Sequence, residues 1–183
     1  RGYSLFLCWI LYLSLAVMGS PFLNFQWDIL LLESGFLSIW LAGFSKRNLY
    51  PSPYILFLLF LLLFRIMFFS GYVKLASNDP EWWNLSALSI HFETQPLPHA
   101  ISWYFHQLPG IILKIGTAIM FIIELLMPFF IFTSRRLRHI AGISFIIFML
   151  VIGISGNYTF FNLLTIIICL PLFDNQFFKF IFP

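Results

Sequence analysis

The sequence predicts an all-α fold: a polytopic transmembrane helix bundle of five to six spans with a structured extracytoplasmic or luminal loop. Apolar runs near 20 residues recur along the chain, each about the length of one hydrocarbon crossing. Charged residues fill 9% of the 183 positions against 61% hydrophobic and 21% aromatic, which excludes a soluble domain and turns the core toward lipid. Proline- and glycine-containing stretches punctuate the boundaries between the runs. Residues 1–183 read as one transmembrane bundle domain, and without an initiator methionine the chain reads as a fragment or processed form.

The first run, 4–19, ends on Met18-Gly-Ser-Pro21, which is a turn between spans, since no A-x-A-like cleavage site follows it. The second run covers 27–44 and the third 53–73, separated by the polar stretch 45–53. The long loop 74–110 comes next, then runs at 111–132, 139–155 and 160–173. The last two are short for a hydrocarbon layer of roughly 30 Å, so the sixth is expected to tilt, re-enter or lie at the interface.

The long loop carries its own helix signals. Asp79-Pro-Glu81 predicts a helix start, with Asp79 capping and Pro80 at the first helical position. Trp82, Trp83, Leu85 and Leu88 would then form one aromatic face at headgroup level. A second helix is expected over His99 to Leu108, carrying Trp103 and Tyr104. Between them, His91 to Pro98 is expected to be extended, because Pro96 and Pro98 disfavour helix before them. Together, 74–110 reads as an ordered cap over the mouth of the bundle.

Basic residues set the orientation. With alternating spans, Arg1, Lys46, Arg47, Arg135, Arg136, Arg138 and Lys179 share one side, seven of the ten Lys and Arg. The positive-inside rule places that side in the cytoplasm and the loop opposite. The sequons Asn84-Leu-Ser86 and Asn157-Tyr-Thr159 both fall on the outer side. Arg135-Arg-Leu-Arg138 is a topology determinant that touches anionic lipid at most; a nucleic-acid partner is not expected. Cys8 and Cys169 lie far apart inside apolar runs and read as buried, inert thiols.

Ions inside apolar runs need a partner or a task. Arg65 lies about 16 Å along its helix from Tyr54, Glu33 about 9 Å from Trp27, and Glu124 about 20 Å from Ile111. Counted from the outer face, the arginine falls between the two carboxylates. They form either a structural ion pair that locks helices together or the lining of a polar cavity. Lys74 shares a helical face with Ser70 and Gly71. It reads as a snorkelling span end or as a partly desolvated base. His91 and Glu93 would point the same way on extended backbone, but two ligands do not close a metal site, and no metal is expected. No P-loop, dinucleotide fingerprint or nucleophile elbow occurs, so no cofactor is expected either.

Several of these pieces together resemble the lipase maturation factor family, integral proteins of the endoplasmic reticulum in animals with bacterial relatives. They are Trp27-Asp28, Leu32-Glu33-x-Gly35-Phe36, Phe64-Arg-Ile-Met67 with Gly71 and Lys74, and Trp83. They continue through His91-Phe-Glu-Thr-Gln-Pro-Leu-Pro98, Ser102-Trp-Tyr104 with His106, and Glu124-Leu-Leu with Pro128. Ser155-Gly-Asn157, Phe161-Asn-x-Leu-Thr165 and Phe173-Asp174 complete them. The resemblance implies a helical bundle in the endoplasmic reticulum membrane, or in the inner or plasma membrane of a bacterium. It implies that the chain assists folding and assembly of secreted lipases, with lipase clients or an assembly partner, and membrane lipids, as its contacts. The expected binding residues are His91, Phe92, Glu93, Thr94, Gln95 and Pro96 with Trp82, Trp83 and Trp103; Glu33, Arg65 and Glu124 are internal polar struts. Members carry a sizeable soluble region after the bundle. A shorter likeness, Ser70-Gly-Tyr-Val-Lys-Leu75 before Trp82 and Trp83, resembles the vitamin K-dependent gamma-carboxylases. It implies a membrane enzyme with Lys74 as base. A small-solute transporter is a third possibility, disfavoured because no pair of broken helices or two-fold repeat is visible.

Overall fold

The computed structural model describes residues 1–43, 51–95, 100–156 and 158–181. Among the described residues every regular element is helical. Three helices are long and apolar enough to cross a membrane: Pro53–Ala76, Gly110–Phe130 and Arg135–Ser155. Gly2–Met18 and Phe161–Leu172 are shorter apolar helices. The chain forms two compact units, Arg1–Leu62 and Leu63–Pro183.

The first unit is built on a hairpin of α1 (Gly2–Met18) and α2 (Gln26–Ala42). Its helices are apolar on most sides, so polar contacts fix their register. Trp9 Nε1 donates to Leu32 O (2.8 Å), and the Tyr12 hydroxyl donates to Asp28 Oδ1 (2.6 Å). Asp28, 2% exposed, also accepts from the Phe25 amide (3.2 Å) and so satisfies a donor at the start of α2. Cys8 is exposed, contrary to the expectation of two buried thiols, because α1 is covered on one side only; Cys169 is buried as expected.

The boundary between the units falls inside α3 (Pro53–Ala76); its second-unit part runs three residues beyond the expected span end and carries Lys74 in its last turn. Asn78, at φ 55°, turns the chain out of it. Three short helices follow: α4 (Pro80–Trp83), α5 (Ala87–Glu93) and α6 (Ala100–His106). Asp79 Oδ1 accepts from the Glu81 amide at 3.0 Å, the cap read from the sequence. Leu85, at φ 58°, then breaks the helix, so Trp82 and Leu88 do not share one continuous face.

The segment expected to be extended is helical through Glu93. Proline restrains chiefly the residue directly before it, so Pro96 leaves 91–93 free to continue α5. Pro96 to His99 lie outside the described residues, and α6 is two residues shorter at its C-terminal end than expected.

The next helix begins as α7 (Gly110–Phe121), widens into a π-turn over Ile122–Leu126 and closes as α8 (Met127–Phe130). Pro128 gives a physical reason for the widening: it lacks an N–H, and its ring would collide with the Glu124 carbonyl in a regular α-turn. The core lies where α9 (Arg135–Ser155) packs against α8, the π-turn and α10 (Phe161–Cys169), which leads through the 3-10 turn Leu170–Leu172 to α11 (Asn175–Ile181). Thr117, Ala141, Phe145, Thr165 and Cys169 are each fully buried. Gly142 allows the close crossing there: a Cβ on it would stand 2.7 Å from the Phe173 ring.

Candidate functional site

Gly71 determines how near α3 comes to the π-turn. A Cβ at Gly71 would meet Leu125 Cδ2 at 2.8 Å and Glu124 Cβ at 3.0 Å, so only hydrogen fits. Lys74, three residues on, lies on the same helical face. Its Nζ donates to both carboxylate oxygens of Glu124, each at 2.5 Å. Glu124 is 4% exposed as a residue, while the Lys74 side chain keeps 23% of its surface. The ammonium also lies 5.5 Å from the centre of the Trp82 ring, which packs edge-on against Phe121.

Counting depth along the helices placed Arg65 between Glu33 and Glu124 and left Lys74 at the membrane face. The structure instead sets Lys74 on Glu124. The difference has a geometric cause. Gly110 and Glu124 are separated by 14 residues of helix, about 20 Å, so the start of α7 is not level with the end of α3. The first turns of α7 run alongside the loop helices: Leu88 of α5 packs where a Cβ on Gly116 would stand 3.0 Å away. Within the described part of the loop, α5 therefore flanks the start of α7.

A second polar group fastens the end of α5 to the end of α9 and the residues just after it. Gln95 Nε2 donates to Ser155 O at 3.0 Å. The Tyr158 hydroxyl lies 3.2 Å from His91 Nε2, with the two rings nearly parallel at 14°. Burial, and secondarily the Lys74 charge, push the His91 pKa below its ordinary value. A neutral imidazole accepts from Tyr158 through Nε2 and carries its proton on Nδ1. Burial likewise raises the Tyr158 pKa, which keeps its hydroxyl a donor. The Phe92 ring lies tilted against Phe105 of α6 (5.4 Å between centres), and His106 Nδ1 reaches Ser89 O at 3.2 Å.

The expected site residues thus divide. Lys74, Glu124 and Trp82 come together, and His91 and Gln95 form a second group with Tyr158 and Ser155. Trp83 and Trp103 turn outward, 61% and 60% exposed, as do Glu93 and Thr94. On a helix His91 and Glu93 point to different sides, so the shared direction assumed for an extended strand is lost. Glu33 is half-buried in the first unit, and Arg65 is an exposed residue of the second. Pro96 lies outside the described residues.

Sequence reasoning assigned no role to Tyr12, Asp28, Ser155 or Tyr158. Asp28 and Ser155 stood among the residues that carry the family resemblance and Tyr158 inside a sequon, while Tyr12 gave no signal.

These motif residues are the ones that a known family would have to share. The model of the lipase maturation factor transmembrane domain matches residues 2–180. The chain belongs to the lipase maturation factor family. It is 45% identical over 177 residues to lipase maturation factor 2 of Xenopus laevis, covering 93% of this chain and 25% of that protein. It is 42% identical over 186 residues to lipase maturation factor 2 of Homo sapiens, covering 93% and 26%. Lipase maturation factor 1 of Mus musculus is 38% identical over 180 residues, covering 96% and 31%. The chain thus spans about a quarter to a third of the length of these curated relatives. No solved structure matches it. It is an integral membrane chain, in keeping with its three apolar helices and the transmembrane domain it matches.

Proposed function

We propose that this chain is the membrane-embedded portion of a factor that helps secreted lipases fold and assemble. It would reside in the endoplasmic reticulum membrane with residues 74–110 on the luminal side. Family membership supports the client class, since the relatives are named lipase maturation factors. The excess of basic residues on the opposite side supports the orientation. With α1, α2 and α10 added to the three long helices, the count reaches five or six spans.

One observation carries the site: His91 and Gln95 of the family string are fastened to Tyr158 and Ser155, 60 residues or more away in sequence. In this reading Lys74, Glu124, His91 and Gln95 hold the loop in one shape, and Trp83, Trp103, Glu93 and Thr94 present its outer surface to a lipase or an assembly partner. Exposed tryptophans beside a rigid support are good anchors for a protein partner. Glu33 and Arg65 act as polar struts. The enzyme reading gains no support, because a base needs a free lone pair and Lys74 donates to both oxygens of Glu124.

The test uses the full-length protein in cells that lack their own maturation factor. The double variant Trp83→Ala and Trp103→Ala alters exposed side chains and is expected to insert and accumulate normally. Secreted lipase activity should fall several-fold. Undiminished activity from this variant, and from one with alanine at 91–96, would sink the reading.

A further inference from the structure

The basic run at the start of α9 plays no part in the loop or its fastening. Ser134, Arg135, Arg136 and His139 line a surface concavity of about 480 Å³. Its walls are fixed by neighbours. Asp174 pairs with Arg135 through Nε and Nη2, the latter at 3.0 Å, and its Oδ1 also accepts from the Phe177 amide at 2.9 Å. The His139 ring is 5.6 Å from Phe173 and 5.2 Å from Phe177, which stack on each other at 4.4 Å. Arg138 turns back toward Thr133 O at 3.5 Å, and Arg136 stays exposed. The Ser134 side chain does not cap its own helix, and no acidic residue lies in the first turn of α9.

The charges add simply. Arg135 and Asp174 offset each other, so Arg136 leaves one net positive charge at the concavity. Guanidinium, imidazole and hydroxyl groups then offer donors of the kind that bind phosphate oxygens. Position selects the kind of phosphate. Arg135–Ser155 is apolar and long enough to cross a membrane, so its first turn lies at headgroup depth. Below the concavity, Ile140 and Ile143 of the same helix are 48% and 40% exposed, an apolar strip for acyl chains.

We infer that this concavity binds the phosphodiester headgroup of an anionic membrane phospholipid. The inference does not depend on the lipase-maturation reading. Phosphatidylcholine carries the same phosphate but adds a trimethylammonium group that Arg136 repels. Inorganic phosphate carries the oxygens without the chains that Ile140 and Ile143 would cover.

Native mass spectrometry of the full-length protein, released from micelles holding equal amounts of phosphatidylinositol and phosphatidylcholine, tests it. Retention of phosphatidylinositol should dominate. Arg136→Gln should lower that retention about fivefold, the worth of one basic side chain beside an anionic surface. His139→Phe, which keeps an aromatic ring in the stack and removes the donors, should lower it as well. Lys114→Gln, an exposed site on α7, should leave it unchanged. Equal retention of the two lipids overturns the inference, and so does a loss from Lys114→Gln as large as that from Arg136→Gln. Displacement of the lipid by inorganic phosphate at matched ionic strength overturns the choice of a lipid occupant.

Discussion

Lys74 and Glu124 are each costly alone in an apolar setting, and together they nearly balance. Lys74→Met would strand a carboxylate that is 4% exposed. Breaking a fully buried pair costs roughly 3–5 kcal/mol, and the partial exposure of Lys74 lowers the expectation here to about 2–3 kcal/mol. The double variant Lys74→Met and Glu124→Leu should recover most of that loss, which thermal unfolding in detergent would show. Two equal melting losses without recovery would mean the pair does more than neutralise itself. His91 supplies a pH dependence. Its folded pKa is depressed, so between that value and the unfolded pKa of about 6.5 the unfolded chain binds more protons. Stability is therefore fully present above about pH 6.5 and falls as the medium is acidified through the folded pKa. Melting at pH 7.5 and 5.5 should differ less in His91→Asn than in the unaltered protein. An identical pH effect in both would place the acid-sensitive group elsewhere.

At the scale of elements, the π-turn and the glycine facing it are one device. Pro128 widens the helix at Glu124, and Gly71 lets α3 close against that turn. Gly71→Val should cost about 1–3 kcal/mol through overpacking against Leu125. Gly110→Ala, with nothing within 4 Å of its added Cβ, should be neutral or slightly stabilising. A comparison of melting temperatures decides, and equal effects would contradict the packing described. How legible these elements were follows from how local their causes are. The Asp79-Pro80 start was readable because cap and amide lie two residues apart. The π-turn was hidden, since a proline inside an apolar run announces a disturbance but not its form. His91 to Glu93 were misread by extending the reach of Pro96 beyond the one residue it restrains. Depth counting could list Lys74 and Glu124 but not join them, because it assumed α3 and α7 begin and end at common levels.

For the molecule in its membrane, the open quantity is sidedness, and one helix is enough to measure it. Asn84 sits in the loop between α4 and α5, exposed, and Arg136 sits in the first turn of α9, also exposed. The membrane-length helix Gly110–Phe130 lies between them, with the short loop helices α5 and α6 on the Asn84 side of it. A single crossing would put the two positions in different compartments, and the distribution of basic residues predicts Arg136 on the cytosolic side. Single cysteines at 84 and 136 make this measurable, in a Cys8→Ser background because Cys8 is exposed. On sealed microsomes a membrane-impermeant maleimide should label Arg136→Cys at once and Asn84→Cys only after detergent opens the vesicles. The reverse order would invert the molecule and carry the loop away from any secreted client. Labelling of both before detergent would mean that Gly110–Phe130 does not cross at all, despite a mean hydropathy of 2.1 over its most apolar window. In that case the helical loop would have to act from the cytosolic face, and the proposed contact with secreted lipases would be lost.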